Sequence, residues 1–124
     1  MIQKIDKTQI EAGISAIIDP EISIANNAGE VPNEFNGYIS SFGAQVIQSG
    51  LAPAVVFFED KDANSNEDRG KIIKAIMQIM GLTRGSMYNH IKNMNPSQMS
   101  ETERAILEAA VALKLAIRTF KLKK

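Results

Sequence analysis

The sequence predicts an all-α protein, a compact single-domain bundle of about five to six helices over residues 1–124. Three observations predict it. Apolar residues recur three and four apart in four separate stretches, the spacing that gathers them on one side of a helix. Cap signatures stand ahead of the first and last of these stretches. Glycine and proline fall between them, where helices end. With 124 residues, 44% of them hydrophobic, the chain is one ordinary domain with enough apolar side chains for a core.

Asp6 with Gln9 reads as an N-cap and its capping-box partner, and Ile10, Ile14, Ile17 and Ile18 follow at helical spacing. Pro20 interrupts the pattern, and Ile22 and Ile24 begin a short second turn. Residues 26–33 (NNAGEVPN) are a loop by composition. Asn33 caps the next helix, whose stripe is Phe35, Tyr38, Ile39, Phe42 and Val46 and whose terminal glycine is Gly50. Residues 54–58 (AVVFF) have the composition of a strand. Pro53 at a first helical position, and the lack of a sequence partner for a lone strand, favour a helix.

Residues 60–70 (DKDANSNEDRG) form a polar loop. Lys71 to Met80 follows as a helix, with Ile72, Ile73, Ile76, Met77 and Met80 inward and Gly81 at its end. Of the other methionines in this half, Met94 and Met99 are left open between core and an adaptable contact. A shorter helix covers Ser86 to Lys92, and Pro96 and Ser97 mark a break. Ser100 with Glu103 is a second capping box, opening a last helix that runs to about Leu122. Its stripe is Ile106, Ala109, Ala110, Leu113, Ile117 and Phe120.

Composition narrows the function. Fourteen basic residues balance fourteen acidic ones. Such a chain binds RNA only through a segregated basic face or within a larger assembly, because phosphate neutralisation supplies most nucleic-acid affinity. Cysteine is absent, which removes disulfides, thiolate metal sites and cysteine nucleophiles. The first residues lack the apolar core of a signal peptide, and the longest apolar run, Leu51 to Phe58, is too short for a membrane span. A cytoplasmic protein without membrane contact is expected.

The chemical motifs are incomplete. Asp60, Asp62 and Asn64 alternate like the ligands of a calcium loop, but Ser65 and Lys71 stand where that loop needs glycine and a bidentate glutamate. His90 is the only histidine, and no cluster of His, Cys and carboxylate in the sequence offers the ligands of a zinc site. Neither a nucleophile elbow nor a phosphate loop occurs. No enzyme, cofactor or metal is expected. Residues 71–92 permit a second reading, a helix-turn-helix DNA-binding regulator with Arg84, Tyr88, Asn89 and His90 on its second helix. Against it, Met77 stands where close helix crossing wants a small residue, and the second helix is short.

Lys114, Arg118 and Lys121 are spaced four and three apart, so a continuing helix places them on one face. Lys123 and Lys124 extend the positive end, and Lys71 with Lys74 forms a weaker second pair. Two readings account for the stripe: a solvated cationic end that complements the helix dipole, or a track for RNA phosphates.

Residues 38–61 (YISSFGAQVIQSGLAPAVVFFEDK) resemble the hallmark of the small-subunit family of type III-B (Cmr) CRISPR effector complexes. That family carries a tyrosine, a pattern like Leu-Pro-x-Leu-Ile-x-x-Asn-Gly-Leu, a Leu-Ala-Phe-like run and a lysine. Here Phe42 stands for the leucine, Val46 for the isoleucine, Ser49-Gly50-Leu51 for Asn-Gly-Leu, and Val55-Val56-Phe57 for the run, with Lys61 near the lysine. Glu108, Lys114 and Arg118 resemble its last helix. Gly43 replaces the proline, Gln45 an apolar residue, Ser41 a common lysine and Leu115 the usual tryptophan. The resemblance implies a non-catalytic helical subunit that stacks along the complex with other effector subunits and further copies of itself. It also implies that the subunit flanks the duplex of guide RNA and target RNA.

Overall fold

A computed structural model of the chain describes residues 6–60, 67–82 and 85–124. Six helices and a two-stranded sheet follow one another as α1 (Lys7–Ile18), β1 (Glu30–Pro32), α2 (Asn33–Ser49), α3 (Leu51–Glu59), α4 (Gly70–Ile79), α5 (Met87–Ile91), α6 (Pro96–Ile117) and β2 (Lys121–Lys123). The fold is the expected helical bundle. α6 is its axis, packed against α1, α2 and α4.

α1 opens at the expected box: the Asp6 carboxylate accepts the Gln9 backbone N–H at 2.9 Å, and the Gln9 side chain accepts the Asp6 N–H at 3.0 Å. Of its expected stripe, Ile17 is buried and Ile10 and Ile14 pack half-buried on the core, while Ile18 is 59% exposed and Gly13 and Ala16 are covered instead. Small residues win because α1 crosses α6 closely. A Cβ on Gly13 would stand 2.8 Å from the Ala116 Cβ and 3.2 Å from the Ala112 carbonyl oxygen.

α2 buries Phe35, Ile39, Phe42 and Val46. Its N-cap is Pro32 rather than Asn33, and no side chain caps it. Gly50, with φ 96°, ends α2 and leads directly into α3. Residues 51–59 are helical as expected, with Pro53 in the third helical position rather than the first. Leu51, Ala54, Val55 and Phe58 face inward, each three or four residues from its neighbours on that face. Phe42 and Phe58 meet edge to face, ring centres 5.1 Å apart, and lock the hairpin. The inward face of α4 is as expected for Ile72, Ile73, Ile76 and Met77, whereas Met80 is half-buried. Met94 and Met99 are also half-buried against the core.

Two boundaries are corrected. α6 begins at Pro96, not near Ser100: Asn95 is its N-cap, in a reciprocal box with Gln98, and Pro96 occupies the first turn, where its missing N–H costs nothing. α6 ends at Ile117, and residues 121–123 form β2, which pairs in parallel with β1. Residues 30–32, expected as loop, are therefore strand. Three residues carry no periodicity, so only the long-range partner reveals them.

Phe42→Ala is expected to cost about 3–5 kcal/mol, measured by denaturant unfolding. Gly13→Val should cost about 1–3 kcal/mol by overpacking. In the same assay Gly37→Ala, on an exposed turn of α2 with nothing near its added Cβ, should stabilise by up to about 1 kcal/mol.

Candidate nucleic-acid interface

Basic residues are unevenly placed along the chain: no lysine or arginine stands between Lys7 and Lys61, a stretch holding seven acidic residues. Apart from Lys4 and Lys7, all the lysines and arginines lie in the later part, the part that ends in α6 and β2. Single motifs do not show this. A charge count by segment does.

The five candidate residues do not form one stripe. Lys114 is half-buried in the last turn of α6. Arg118 is the exposed C-cap, its backbone N–H bonded to the Lys114 and Ala116 carbonyls. Lys121 lies beyond the helix, on β2, so the four-three spacing does not put it on the helical face of the other two. The strand imposes its own order. Alternation along β2 exposes Lys121 and Lys123 together while Leu122 packs on the core. Lys121 is in register with Glu30, whose carboxylate accepts the Asn26 side-chain N–H at 3.2 Å, and Lys123 is in register with uncharged Pro32. Arg118, Lys121, Lys123 and Lys124 thus gather as exposed cations past the end of α6.

Lys71 and Lys74 part company. The Lys71 ammonium donates to the Ser23 carbonyl at 2.9 Å and lies 6.0 Å from the Phe35 ring centre. It ties α4 to the turn where Ser23 adopts φ 63°, so its charge serves the fold. Lys74 is exposed and borders an open cleft of about 440 Å³ shared with Asp19, Glu21 and Gln78.

The helix-turn-helix alternative is not supported. α5 has five residues and buries Met87 and Ile91. The N-terminal end that would enter a DNA groove is occupied: the Glu59 carboxylate accepts the N–H groups of Met87 at 2.8 Å and Tyr88 at 3.2 Å, and the Ser86 hydroxyl accepts that of Asn89 at 3.1 Å. A carboxylate there repels phosphate. Tyr88 and Asn89 are exposed and His90 is half-buried, while Arg84 lies outside the described residues. Most of the calcium-like loop, including Asp62, Asn64 and Ser65, lies outside them too, as does Lys61. Among the described residues no group of three metal-ligating side chains occurs, and no helix is long and apolar enough to cross a membrane.

The hallmark residues of 38–61 turn out to build the α2–α3 hairpin. Phe42, Val46, Leu51 and Val55 are buried, Gly50 makes the turn, and the Tyr38 hydroxyl accepts the Glu67 backbone N–H at 3.1 Å. Val56 and Phe57 face outward, and Phe58 takes the core position instead. Glu108, half-buried on α6, pairs with Arg104 at 3.8 Å.

A family model described as CRISPR-associated protein (Cas_Cmr5) matches residues 20–118. The chain belongs to the Cas_Cmr5 family. The match covers the α2–α3 hairpin and nearly all of the later helices, so this protein is a CRISPR-associated small subunit of the Cmr (type III-B) kind, a component of a complex with other Cas subunits. β2, with Lys121, Lys123 and Lys124, lies beyond the matched residues. Comparison with curated proteins and with solved structures finds no significant match.

Lys71→Met should lower unfolding stability by about 1–2 kcal/mol through loss of the Ser23 bond. An exposed phosphate-binding lysine would show no such effect, so the melting curve separates the two roles.

Proposed function

We propose that this Cas_Cmr5 protein is a non-catalytic structural subunit of a type III-B CRISPR RNA-guided ribonucleoprotein in the cytoplasm. It stacks along the complex with further copies of itself and flanks the duplex of guide RNA and target RNA in antiviral defence. The observation that carries the RNA-facing part is the exposed cationic end formed by Arg118, Lys121, Lys123 and Lys124 on a chain of zero net charge. Lys114 adds to it from the last turn of α6, and Lys74 contributes from α4. Lys71 was among the candidate contacts and is now assigned to the fold.

Lysine and arginine contact phosphates without reading bases, which suits a subunit that serves any guide sequence. A net charge of zero makes the isolated subunit a weak RNA binder, and salt removes even that binding. Among the described residues no group of three metal-ligating side chains occurs, and the sequence holds no phosphate loop, which supports a non-catalytic role.

Replacing Lys114, Arg118 and Lys121 together by alanine should leave the protein folded, because Arg118 and Lys121 are exposed and Lys114 is only half-buried. Target-RNA capture by the assembled complex should weaken for every guide alike, and more steeply as salt rises. Parental capture by an assembled triple variant at every salt concentration would overturn the reading. Purified protein incubated with labelled RNA or with ATP should show no turnover that follows the protein through fractionation.

A further inference from the structure

The cations past the middle of α6 stand in two electrostatic settings. The last carbonyls of a helix carry roughly half an elementary negative charge, and the effect fades beyond the last turn. Lys114, in the last turn of α6, and Arg118, its C-cap, belong to that end, so part of their charge is offset there. Lys121 and Lys123 stand beyond it on β2, and a sheet has only a small net dipole to oppose a cation.

No acid takes up the charge of the β2 lysines. Among the described residues neither Lys121 nor Lys123 has an ion pair. Glu30, in register with Lys121, is engaged by Asn26, whose side chain donates to the Glu30 carboxylate at 3.2 Å and accepts the Glu30 backbone N–H at 2.9 Å. Pro32, in register with Lys123, is uncharged. The strand also fixes a spacing. A parallel strand rises about 3.3 Å per residue and alternate side chains share a face, so the two lysines stand side by side about 6.6 Å apart. Leu122 between them packs on the core, and Val31, its partner on β1, is buried, which anchors the strand.

We infer that β2 is a phosphate-binding strand: Lys121 and Lys123 contact neighbouring phosphates along one strand of RNA, and the pairing of β2 with β1 positions them. Cations set at a fixed step along an extended backbone match a ligand whose charges also repeat along a line. Lysine ammonium groups are point charges, which suit phosphate and carry no fork for a base edge. β2 lies beyond residues 20–118, so the contact belongs to a part of this chain that the Cas_Cmr5 match does not reach.

This inference rests on the protein facing RNA in its complex. Its test is the complex reconstituted from purified subunits and guide RNA, with binding of labelled target RNA followed against salt. Lys121→Gln with Lys123→Gln removes the pair. Lys121→Leu with Leu122→Lys keeps every charge but moves one cation to the core side of β2. Lys92→Gln removes an exposed cation at the C-cap of α5 as a control. The glutamine pair should enter the complex like the parent and bind target RNA at least about tenfold less tightly. Its plot of log affinity against log salt should be shallower by about one for each lysine, for every guide alike. The exchanged variant should lose about one of slope, and Lys92→Gln should lose nothing. Parental affinity and slope in the glutamine pair, or in a folded exchanged variant, would sink the inference. So would failure of the glutamine pair to enter the complex, because the lysines would then face an acidic segment of another subunit. If Lys114→Ala with Arg118→Ala weakens capture while the glutamine pair does not, the phosphate-binding strand falls and the RNA-facing reading stands. If neither pair changes capture, both fall.

Discussion

The close crossing of α1 over α6 sets the positions of the other helices. Gly13 meets α6 with no room for a Cβ, and Ala112 and Ala116 keep that side of α6 shallow. Backbones that approach this closely exclude water without large side chains, and the apolar bulk is spent elsewhere. Phe35, Phe42 and Phe58 fill the space under the α2–α3 hairpin, and Ile72, Ile73 and Ile76 bring α4 into the same core. α6, with 22 residues, is the longest helix among those described, and three others pack on it. A change in the α1 crossing therefore shifts the surface on which α2 and α4 rest.

Around that core, several ionisable groups serve architecture rather than binding. Lys71 holds a turn whose Ser23 sits in a left-handed conformation. Glu59 adds to the Ser86 cap by lending both carboxylate oxygens to the first N–H groups of α5, which joins α3 to α5. Arg69 lies 4.2 Å from the centre of the Phe57 ring and covers one side of an exposed aromatic. A lysine or glutamate in this chain is therefore not by itself a sign of a ligand site. The cations beyond the end of α6 differ because they reach solvent together.

Zero net charge conceals an uneven order of charge along the chain. The segment from residue 8 to 60 is acidic and, along its hairpin, uncharged, whereas the later part carries the cations. In the fold the two signs are partly interleaved, since β2 sets Lys121 in register with Glu30 and Lys74 borders a cleft with Asp19 and Glu21.

The sequence by itself determined the helical class, the inward faces of α2 and α4, the α1 capping box, the Gly50 turn and the family. These follow from local rules, namely periodicity, cap hydrogen bonds and the conformational freedom of glycine, and residues a few positions apart express them. Tertiary structure alone decided the rest. Residues 30–32 and 121–123 are strands because they meet each other across almost the whole chain. That pairing ends α6 at Ile117 and takes Lys121 off the helical face it would otherwise share with Lys114 and Arg118. Ile18 is exposed and Gly13 buried because α1 approaches α6 through its small residues, a choice fixed by the partner helix rather than by hydrophobicity. Lys71 donates to the Ser23 carbonyl 48 residues away, a contact that only the tertiary fold brings about. Spacing along a chain says which residues share a face. Only contact between distant segments says which face is covered and which charges remain free.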